Sequence, residues 1–278
     1  MSKVWFITGA SRGIGAEIAR AALASGDRVV ATGRSRAQIE KTFAGHPTSV
    51  LALELDVTDE ALAHRAVDAT IARFGRIDVL VNNAGYGQLG AFEENGTGEI
   101  EQQYATNVFG LFHVTRAVLP VMRKQRGGHI FNLSSMAGVL GFASASIYCS
   151  TKFAIEGFSE SLALEVAQFG IKITIVEPGF FRTDFLDKSS IRYGAKVVED
   201  YVPFSTELKA TFDSYSHKQA GDPAKLGQAM VQLANVENPP LRYAAGSDSA
   251  GRIGEKLSAM QSEIDQWRAL SVSTDHAQ

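Results

Sequence analysis

The sequence predicts an α/β fold in which a doubly wound parallel sheet carries helices on both faces. Short apolar runs alternate with longer amphipathic runs along the chain, and this is the pattern of β-strands connected by crossover helices. The strand-like runs are almost uniformly apolar, as expected for strands that are buried on both faces. No linker rich in proline, glycine or serine divides the 278 residues, so we expect one domain covering residues 1–278.

Six β-strands are predicted from the apolar runs. Each run is four to six residues long, the usual length of a strand. The predicted strands are residues 4–8, 28–32, 51–55, 79–82, 129–133 and 172–177. Pro178-Gly179 follows the last of them and is a typical strand-ending signal.

Four helices are predicted between these strands, where apolar residues recur every three to four positions. Their bounds are residues 16–24, 61–74, 100–123 and 147–169, the third of them in one piece or two. The first is expected to end near Gly26. On the last helix, the charged face formed by Glu156, Glu160 and Glu165 is expected to be solvated.

The regular alternation stops in residues 184–220. This stretch mixes charged residues with aromatic ones, namely Phe185, Tyr193, Tyr201, Phe204, Phe212 and Tyr215. It is either a surface insertion with its own small core or a small helical lid over a substrate. Its position after the carboxyl end of a strand favours the lid, because ligands of open α/β sheets bind there. The polar residues 271–278 are expected to form a flexible tail.

Composition excludes several classes of protein. The formal net charge is −3, whereas a protein that binds nucleic acid usually carries a basic excess. Cys149 is the only cysteine, so no internal disulfide can form and a reducing, cytoplasmic setting is expected. No apolar run reaches the roughly 18 residues of a membrane-spanning helix, and residues 4–7 are too short for a signal sequence. The six histidines show no ligand spacing, so no metal site is expected.

A glycine-rich turn, residues 8–15, connects the first predicted strand to the first helix. Its three glycines have no Cβ, so the backbone can turn tightly and approach a pyrophosphate closely. The N-terminus of the following helix supplies free N–H groups and a partial positive charge. This is the context of a Rossmann-type dinucleotide site. The candidates for cofactor contact in this turn are Gly9, Ser11, Arg12, Gly13, Ile14 and Gly15.

The second predicted strand ends without an acidic residue. In many dinucleotide folds an acidic side chain at this point binds the adenine ribose hydroxyls, but this chain has Gly33-Arg34 instead. Arg34, together with Arg12 of the glycine turn, would bind a 2′-phosphate through charge-assisted hydrogen bonds. The alternative is that both arginines are solvated surface charges. The first interpretation predicts NADP(H) as the cofactor.

Tyr148 and Lys152 lie four residues apart on a predicted helix and therefore on one face of it. A free phenol has a pKa near 10, and a nearby ammonium group is expected to lower it, which would make Tyr148 a general acid or base. Ser135 lies thirteen residues earlier (148 − 135), after a predicted strand, and could donate a hydrogen bond to a carbonyl oxygen. The pair alone arises often by chance, but its spacing from Ser135 and the upstream glycine turn make it specific. The implied chemistry is hydride transfer between a nicotinamide and a carbonyl or alcohol carbon.

These motifs resemble those of the short-chain dehydrogenase/reductases, in the compact single-domain branch of that family. The matching segments run from residue 4 to residue 183. The resemblance implies a proton-relay tetrad formed by Asn107, Ser135, Tyr148 and Lys152, in which Lys152 also binds the nicotinamide ribose. It implies further cofactor contacts from Asp56, Val57, Asn83, Ala84, Gly85, Pro178, Gly179, Phe181 and Thr183. Ser134 is the neighbouring alternative to Ser135, and the spacing favours Ser135 because neighbours after a strand point in opposite directions.

The resemblance implies an NADP(H)-dependent oxidoreductase of the carbonyl reductase or alcohol dehydrogenase type. Phe142, Phe180 and Phe181 would then lie near the lid and favour an apolar or aromatic substrate. A homodimer or homotetramer is expected, built partly through helices around residues 108–122 and 155–169. Two other interpretations compete with the enzyme. One is a non-catalytic NADP sensor, and the other is a scaffold without cofactor, in which the three glycines would only serve turn geometry.

Overall fold

The structure is a computed structural model and describes residues 2–187 and 190–276. Seven parallel strands form its central sheet, and two short strands form a separate parallel pair. In chain order the strands are β1 (Val4–Ile7), β2 (Arg28–Gly33), β3 (Val50–Glu54), β4 (Val79–Asn82), β5 (Gly87–Leu89), β6 (Gly128–Leu133), β7 (Ile171–Pro178), β8 (Ile191–Tyr193) and β9 (Arg242–Ala245). The central sheet has the order β3-β2-β1-β4-β6-β7-β9, and β5 pairs with β8.

The helices connect these strands and are bounded by recognisable caps. In chain order they are α1 (Gly13–Ala24), α2 (Arg36–Thr42), α3 (Glu60–Phe74), α4 (Thr97–Tyr104), α5 (Gly110–Gln125), α6 (Ser146–Val166), α7 (Val202–Tyr215), α8 (Pro223–Leu233) and α9 (Ser247–Val272). α3 shows both ends clearly: the Asp59 side chain accepts a hydrogen bond from the Leu62 N–H at 3.0 Å, and Gly75 ends the helix with a φ of 76°.

The sheet has an apolar core on each face, which confirms the predicted doubly wound architecture. Helices α3, α5 and α6 cover one face, and α1, α2 and α8 cover the other. Strand β1 contributes to both cores, because Val4 and Phe6 point to the first face while Trp5 and Ile7 point to the second. Burial on both faces explains why the strands carry continuous apolar runs rather than an alternating pattern.

All six predicted strands are present, and their ends differ from the prediction by no more than one residue. The seventh strand of the central sheet, β9, was missed. It is only four residues long, begins with the exposed Arg242, and pairs with β7 at the edge of the sheet. Its extended conformation depends on that partner, so the local sequence carries little signal.

The helices depart from the prediction in three places. α1 begins at Gly13 rather than at residue 16, so the glycine turn itself forms the first helical turn. Residues 100–123 form α4 and α5 joined by a π-helical turn, Ala105–Phe109. α2, α8 and α9 were not predicted, and α9 continues to Val272, into the segment expected to be flexible. Residues 277–278 of that predicted tail lie outside the described residues. Among those described, no helix combines the length and the apolar character needed to cross a bilayer.

Residues 184–220, the segment predicted to form a lid, contain a 3₁₀ turn (Asp184–Leu186), strand β8 and helix α7. β8 pairs with β5 and ties the segment to the main body. Phe185, Leu186 and Phe212 pack in an apolar cluster that also includes the Tyr148 ring. Lys188 and Ser189 fall within the predicted lid but lie outside the described residues.

Candidate active site

The candidate site is a cavity of about 400 Å³ at the carboxyl edge of the central sheet. It opens beside the point where the strand order reverses, between β1 and β4, which is where ligands bind in open α/β sheets. The predicted site residues that line it are Arg12, Gly13, Ile14, Asn83, Gly85, Ser135, Tyr148, Lys152, Pro178, Gly179, Phe181 and Thr183. The topology therefore brings together motifs that lie up to 171 positions apart in the chain (183 − 12).

The glycine turn has the conformation and the crowding that require glycine. Gly9 and Gly13 have φ values of +65° and +56°, in the left-handed region that favours glycine. A Cβ on Gly15 would lie 2.5 Å from the backbone oxygen of Gly9 and 2.5 Å from the side-chain nitrogen of Asn83. Both distances are far below van der Waals contact, so position 15 accepts no side chain without local rearrangement. The turn thus keeps the open backbone surface that a dinucleotide pyrophosphate needs.

Hydrogen bonds tie the glycine turn to the segment after β4. The Asn83 side chain donates to the backbone oxygens of Thr8 (2.9 Å) and Gly9 (3.1 Å). In return, the Thr8 hydroxyl accepts from the backbone N–H groups of Asn83 (2.9 Å) and Ala84 (3.0 Å). Asn83 and Ala84 therefore hold the two halves of the crevice together, and Gly85 lines the cavity next to Asn107.

Of the residues predicted on the adenosine side, Arg12 lines the cavity, whereas Ser11, Arg34, Asp56 and Val57 do not. Arg34 follows β2 and is exposed. The Asp56 carboxylate accepts hydrogen bonds from the N–H (3.0 Å) and hydroxyl (2.8 Å) of Thr58, and Val57 packs against the start of α5 at Gly110. Ser11 lies beside Gly33, at the end of β2. Arg12 donates to the Ser190 hydroxyl at 2.8 Å, so one of its contacts is with the lid.

Tyr148, Lys152 and Ser135 meet on the floor of the cavity. The Lys152 ammonium lies 5.6 Å from the centroid of the Tyr148 ring and donates to the backbone oxygen of Leu133 at 2.7 Å. The Ser135 hydroxyl lies beside the Tyr148 hydroxyl, donates to the backbone oxygen of Pro178 at 3.4 Å, and accepts from the Ala137 N–H at 3.1 Å. A substrate oxygen placed beside Tyr148 would also be within reach of Ser135.

The environment moves the pKa values of Tyr148 and Lys152 in opposite directions. Burial raises the pKa of the Tyr148 phenol above its ordinary value, and the hydrogen bond from Ser135 opposes this only in part. Burial lowers the pKa of Lys152 to about 8, while the charge of Glu156 acts to raise it. The expectation that the Lys152 ammonium brings the pKa of Tyr148 below its ordinary value is therefore wrong. The reason is that the ring packs among apolar groups and the ammonium bonds to a backbone carbonyl.

Asn107 lies in the π-helical turn and its side chain is fully engaged. Its amide nitrogen donates to the backbone oxygen of Tyr86 (3.0 Å) and to the Thr151 hydroxyl (3.2 Å), while its oxygen accepts from the Tyr86 N–H at 3.1 Å. It thus clamps the segment after β4 to α6, one residue before Lys152. π-helical turns occur often at functional sites, but no local sequence pattern predicted this one.

The segment after β7 is held by an aspartate that the sequence reasoning missed. Asp248, in the first turn of α9, accepts from the Phe180 N–H at 2.8 Å. A Cβ on Gly179 would collide with the Asp248 carboxylate, so the glycine permits this close approach. Pro178, Gly179, Phe181 and Thr183 are thereby fixed along one wall of the cavity.

Ser134 and Ser135 point to different surroundings. The Ser134 hydroxyl is buried and lies next to Gly138 and the Glu156 side chain, whereas Ser135 faces Tyr148. Glu156 is itself buried, which corrects the expectation that it belongs to a solvated face. Arg242 of β9 pairs with Glu156 (3.2 Å), Glu160 (2.6 Å) and Glu177 (3.2 Å). Because β9 was not predicted, nothing in the sequence placed Arg242 behind Lys152.

Glu177→Gln is expected to stabilise the protein at pH 8 and to have little effect at pH 5. Burial, reinforced by the charge of Glu156, raises the pKa of Glu177 from its ordinary value of 4.5 to about 7, and Arg242 offsets this only in part. Between these values the folded protein holds a proton that the unfolded chain has released, so wild-type stability falls as pH rises through that window. Thermal unfolding at both pH values measures the effect, because each kcal/mol of added stability raises the unfolding temperature by about 2–4 °C.

Glu160→Gln is the matched control, because Glu160 binds the same arginine but its side chain is 51% exposed. We expect its unfolding temperature to stay close to wild type at both pH values. An equal gain for Glu177→Gln at pH 5 and pH 8 would show that the carboxylate does not titrate in this window.

The outer wall of the cavity is apolar and comes largely from the lid segment. The contributing residues are Leu89, Phe142, Phe185, Leu186, Ile191, Leu208 and Phe212. On the outer side of the lid, Asp187 accepts from Ser216 (2.8 Å) and pairs with His217 (3.2 Å). Asp184 lies close enough to make this a three-residue group compatible with a cation within the described ranges. Within this group, Asp187 and His217 already pair with each other.

Comparison with known proteins identifies the family to which the chain is similar. The family model described as short chain dehydrogenase matches residues 3–193. A 3-ketodihydrosphingosine reductase of Bacteroides thetaiotaomicron is 39% identical over 245 residues, which cover 88% of this chain and 88% of that protein. The crystal structure of a short-chain dehydrogenase from Streptomyces avermitilis is 40% identical, with a TM-score of 0.91, and the match covers 99% of this chain and 100% of that one. ElxO with NADP bound is 29% identical, with a TM-score of 0.71 and coverage of 86% and 93%.

Proposed function

The chain belongs to the short-chain dehydrogenase family, and we propose that it is an NADP(H)-dependent oxidoreductase acting on a ketone or aldehyde, or on the matching alcohol. The observation that carries the proposal is the cluster of Tyr148, Lys152 and Ser135 on the floor of a cavity that the glycine turn also lines. The reductase from Bacteroides thetaiotaomicron supports a ketone substrate by its name.

The raised pKa of Tyr148 suits it to the reductive direction. At neutral pH the phenol keeps its proton and would donate it to the carbonyl oxygen as negative charge develops there. Ser135 would donate a second hydrogen bond to the same oxygen. A bound nicotinamide dinucleotide supplies the hydride in this direction and accepts it in the other. Lys152, cationic below about pH 8, would stabilise charge beside Tyr148 and hold the ribose.

The residues present fit such a dinucleotide. The crowding around Gly15 marks a cradle that a Cβ would fill, and the exposed Arg34 lies at the end of β2 where an adenine ribose would carry a 2′-phosphate. The structure of ElxO with NADP bound supports NADP(H) rather than NAD(H) as the cofactor of this chain. Gly9, Gly13 and the N-terminus of α1 would bind the pyrophosphate, with Asp56 and Val57 on the adenine side.

Arg34→Ala is expected to weaken NADPH binding about 10–100-fold and to leave NADH binding nearly unchanged, because only NADPH offers a phosphate to the guanidinium. Fluorescence titration of both cofactors measures this. Arg36→Ala is the control: Arg36 is also exposed, but it pairs with Glu40 at 2.7 Å. An equal loss of both cofactors in the Arg34 variant would mean that Arg34 does not bind the 2′-phosphate.

The experiment that tests the proposed function is a cofactor-oxidation screen. NADPH and NADH absorbance would be followed separately against aliphatic, aromatic, steroidal and sugar carbonyls. Turnover with NADPH on one of these classes would support the reductase and identify its substrate class. Tight NADPH binding without turnover of any carbonyl would favour the non-catalytic sensor.

We also propose assembly into a homodimer or homotetramer. Large apolar side chains on the expected interface helices are exposed in one chain, among them Phe109 (51%), Phe153 (47%) and Leu164 (84%). Light scattering of the purified protein measures the number of subunits. The single free cysteine, buried on α6, fits a reducing compartment such as the cytoplasm.

A further inference from the structure

Gln219 lies near the end of the lid segment, after α7, and carries a buried amide without a partner among the described residues. The residue is 1% exposed, and neither its side-chain oxygen nor its side-chain nitrogen hydrogen-bonds to any group in the described ranges. Other buried amides of this chain differ: Gln88 donates to Asn95, and Asn95 donates to the Ala91 backbone oxygen. Buried polar groups are nearly always hydrogen-bonded, so an unpaired amide calls for a specific explanation.

Gln219 is one of the residues that line the candidate active-site cavity, and its amide is buried just behind the cavity surface. Its backbone is anchored there, because the Gln219 carbonyl oxygen accepts from the Arg182 side chain at 3.0 Å. Two residues on, Gly221 bridges to Phe181, and the Gly221 N–H donates to the Phe180 oxygen at 3.0 Å. The segment is therefore fixed against the loop after β7, and the Gln219 side chain stays buried beside the cavity rather than turning to solvent.

The surroundings of Gln219 in the cavity are mainly apolar. Leu208 and Phe212 of α7 and Phe180 line the same space, and the Phe180 ring packs edge-on against Tyr215 at 5.4 Å. In such a low-dielectric setting an unpaired amide is costly, whereas an amide that gains a partner forms a strong and selective bond. A site of this kind discriminates against ligands that lack the matching polar group.

We infer that Gln219 is a specificity-determining residue that hydrogen-bonds a second polar group of the substrate, away from the reacting carbonyl. This inference rests on the proposed function. The amide offers one acceptor and two donors, so the matching group is a hydroxyl or a carboxamide, carried on an apolar body that contacts Phe142 and Phe212. The substrate class is thus a carbonyl compound with an apolar body and a distal polar group, rather than a purely apolar or aromatic one.

The test compares wild type with Gln219→Met, which keeps the length of the side chain and removes the amide. Substrates are used in pairs that differ only by a distal hydroxyl or carboxamide against a methyl group. We expect the variant to lose about tenfold or more in kcat/KM for the polar member and to lose nothing for the apolar member. We also expect the ligand-free variant to unfold about 2–4 °C higher than wild type, because an unpaired buried amide has been removed.

Phe212→Leu is the matched control, since it alters the same cavity without changing its polar groups and should affect both members of a pair alike. An unchanged preference in Gln219→Met would overturn the inference. A lower unfolding temperature would overturn it too, because it would assign the amide a structural role. If Gln219→Met lost affinity for NADPH but kept the preference for the polar substrate of each pair, the amide would bind the nicotinamide carboxamide instead.

Failure of the proposed function gives a different result. In that case wild type itself turns over no carbonyl with either cofactor. Substrate pairs can then still be compared by the shift in unfolding temperature that they cause in the NADPH-loaded protein. An equal shift for both members would overturn the inference about Gln219, and a larger shift for the polar member that Gln219→Met abolishes would support it.

Discussion

Tyr148→Phe is expected to lower kcat by about 10²–10⁴-fold, the usual contribution of a positioned general acid. Phenylalanine keeps the ring that packs against Phe185, with centroids 5.9 Å apart, and removes only the hydroxyl that lies beside Ser135. Cofactor affinity and unfolding temperature should therefore stay near wild type while turnover is lost. Steady-state kinetics on the substrate found in the screen, with NADPH titration and thermal unfolding, measure the three quantities.

Tyr193→Phe is the control for this substitution. Tyr193 belongs to the same apolar cluster as Tyr148 but does not line the cavity as described, so its loss of a hydroxyl should leave kcat within about twofold of wild type. Turnover at the wild-type level in Tyr148→Phe would remove Tyr148 from the mechanism. Ser135 and Lys152 would then need another proton donor.

Gly15→Ala is expected to abolish tight cofactor binding and to destabilise the protein by about 1–3 kcal/mol, the usual range for overpacking. The added Cβ would lie 2.5 Å from both the Gly9 oxygen and the Asn83 amide nitrogen. Relief requires movement of the glycine turn away from β4, which breaks the bonds from Asn83 to Thr8 and Gly9. Thermal unfolding and NADPH titration measure the two losses.

Gly254→Ala provides the matched comparison. Gly254 is also inside a helix, but a Cβ there would meet no atom within 4 Å. Alanine in an exposed helix interior is expected to stabilise by about 0.5–1 kcal/mol relative to glycine. If Gly15→Ala resembled Gly254→Ala in both stability and cofactor affinity, the glycine turn would not be the close-approach site that the crowding indicates.

Most of the central sheet could be predicted from the sequence, because its strands are buried on both faces. All four residues of β4, three of them apolar, are buried. A run of this kind marks a strand that is covered on both faces, so the strand and its bounds can be predicted from the sequence. The same holds for the glycine turn and for the Tyr148–Lys152 spacing, since both are local geometry. The edge strand β9 and the exposed helix α9 lack that strong local pattern.

Only the tertiary structure decided what surrounds the predicted residues. It raised rather than lowered the pKa of Tyr148, because burial of the phenol outweighs the opposing effect of the Ser135 hydroxyl. It placed Arg242 from the edge of the sheet beside Glu156 and Glu177, and it buried the side chain of Gln219, a residue that lines the cavity. Arg242 lies 65 positions from Glu177 and 86 positions from Glu156 in the chain (242 − 177 and 242 − 156). The burial of Gln219 depends on how the segment predicted to form a lid folds against the rest of the chain. Local propensity and periodicity reach only a few residues along the chain, whereas desolvation and charge pairing depend on the neighbours that the fold supplies.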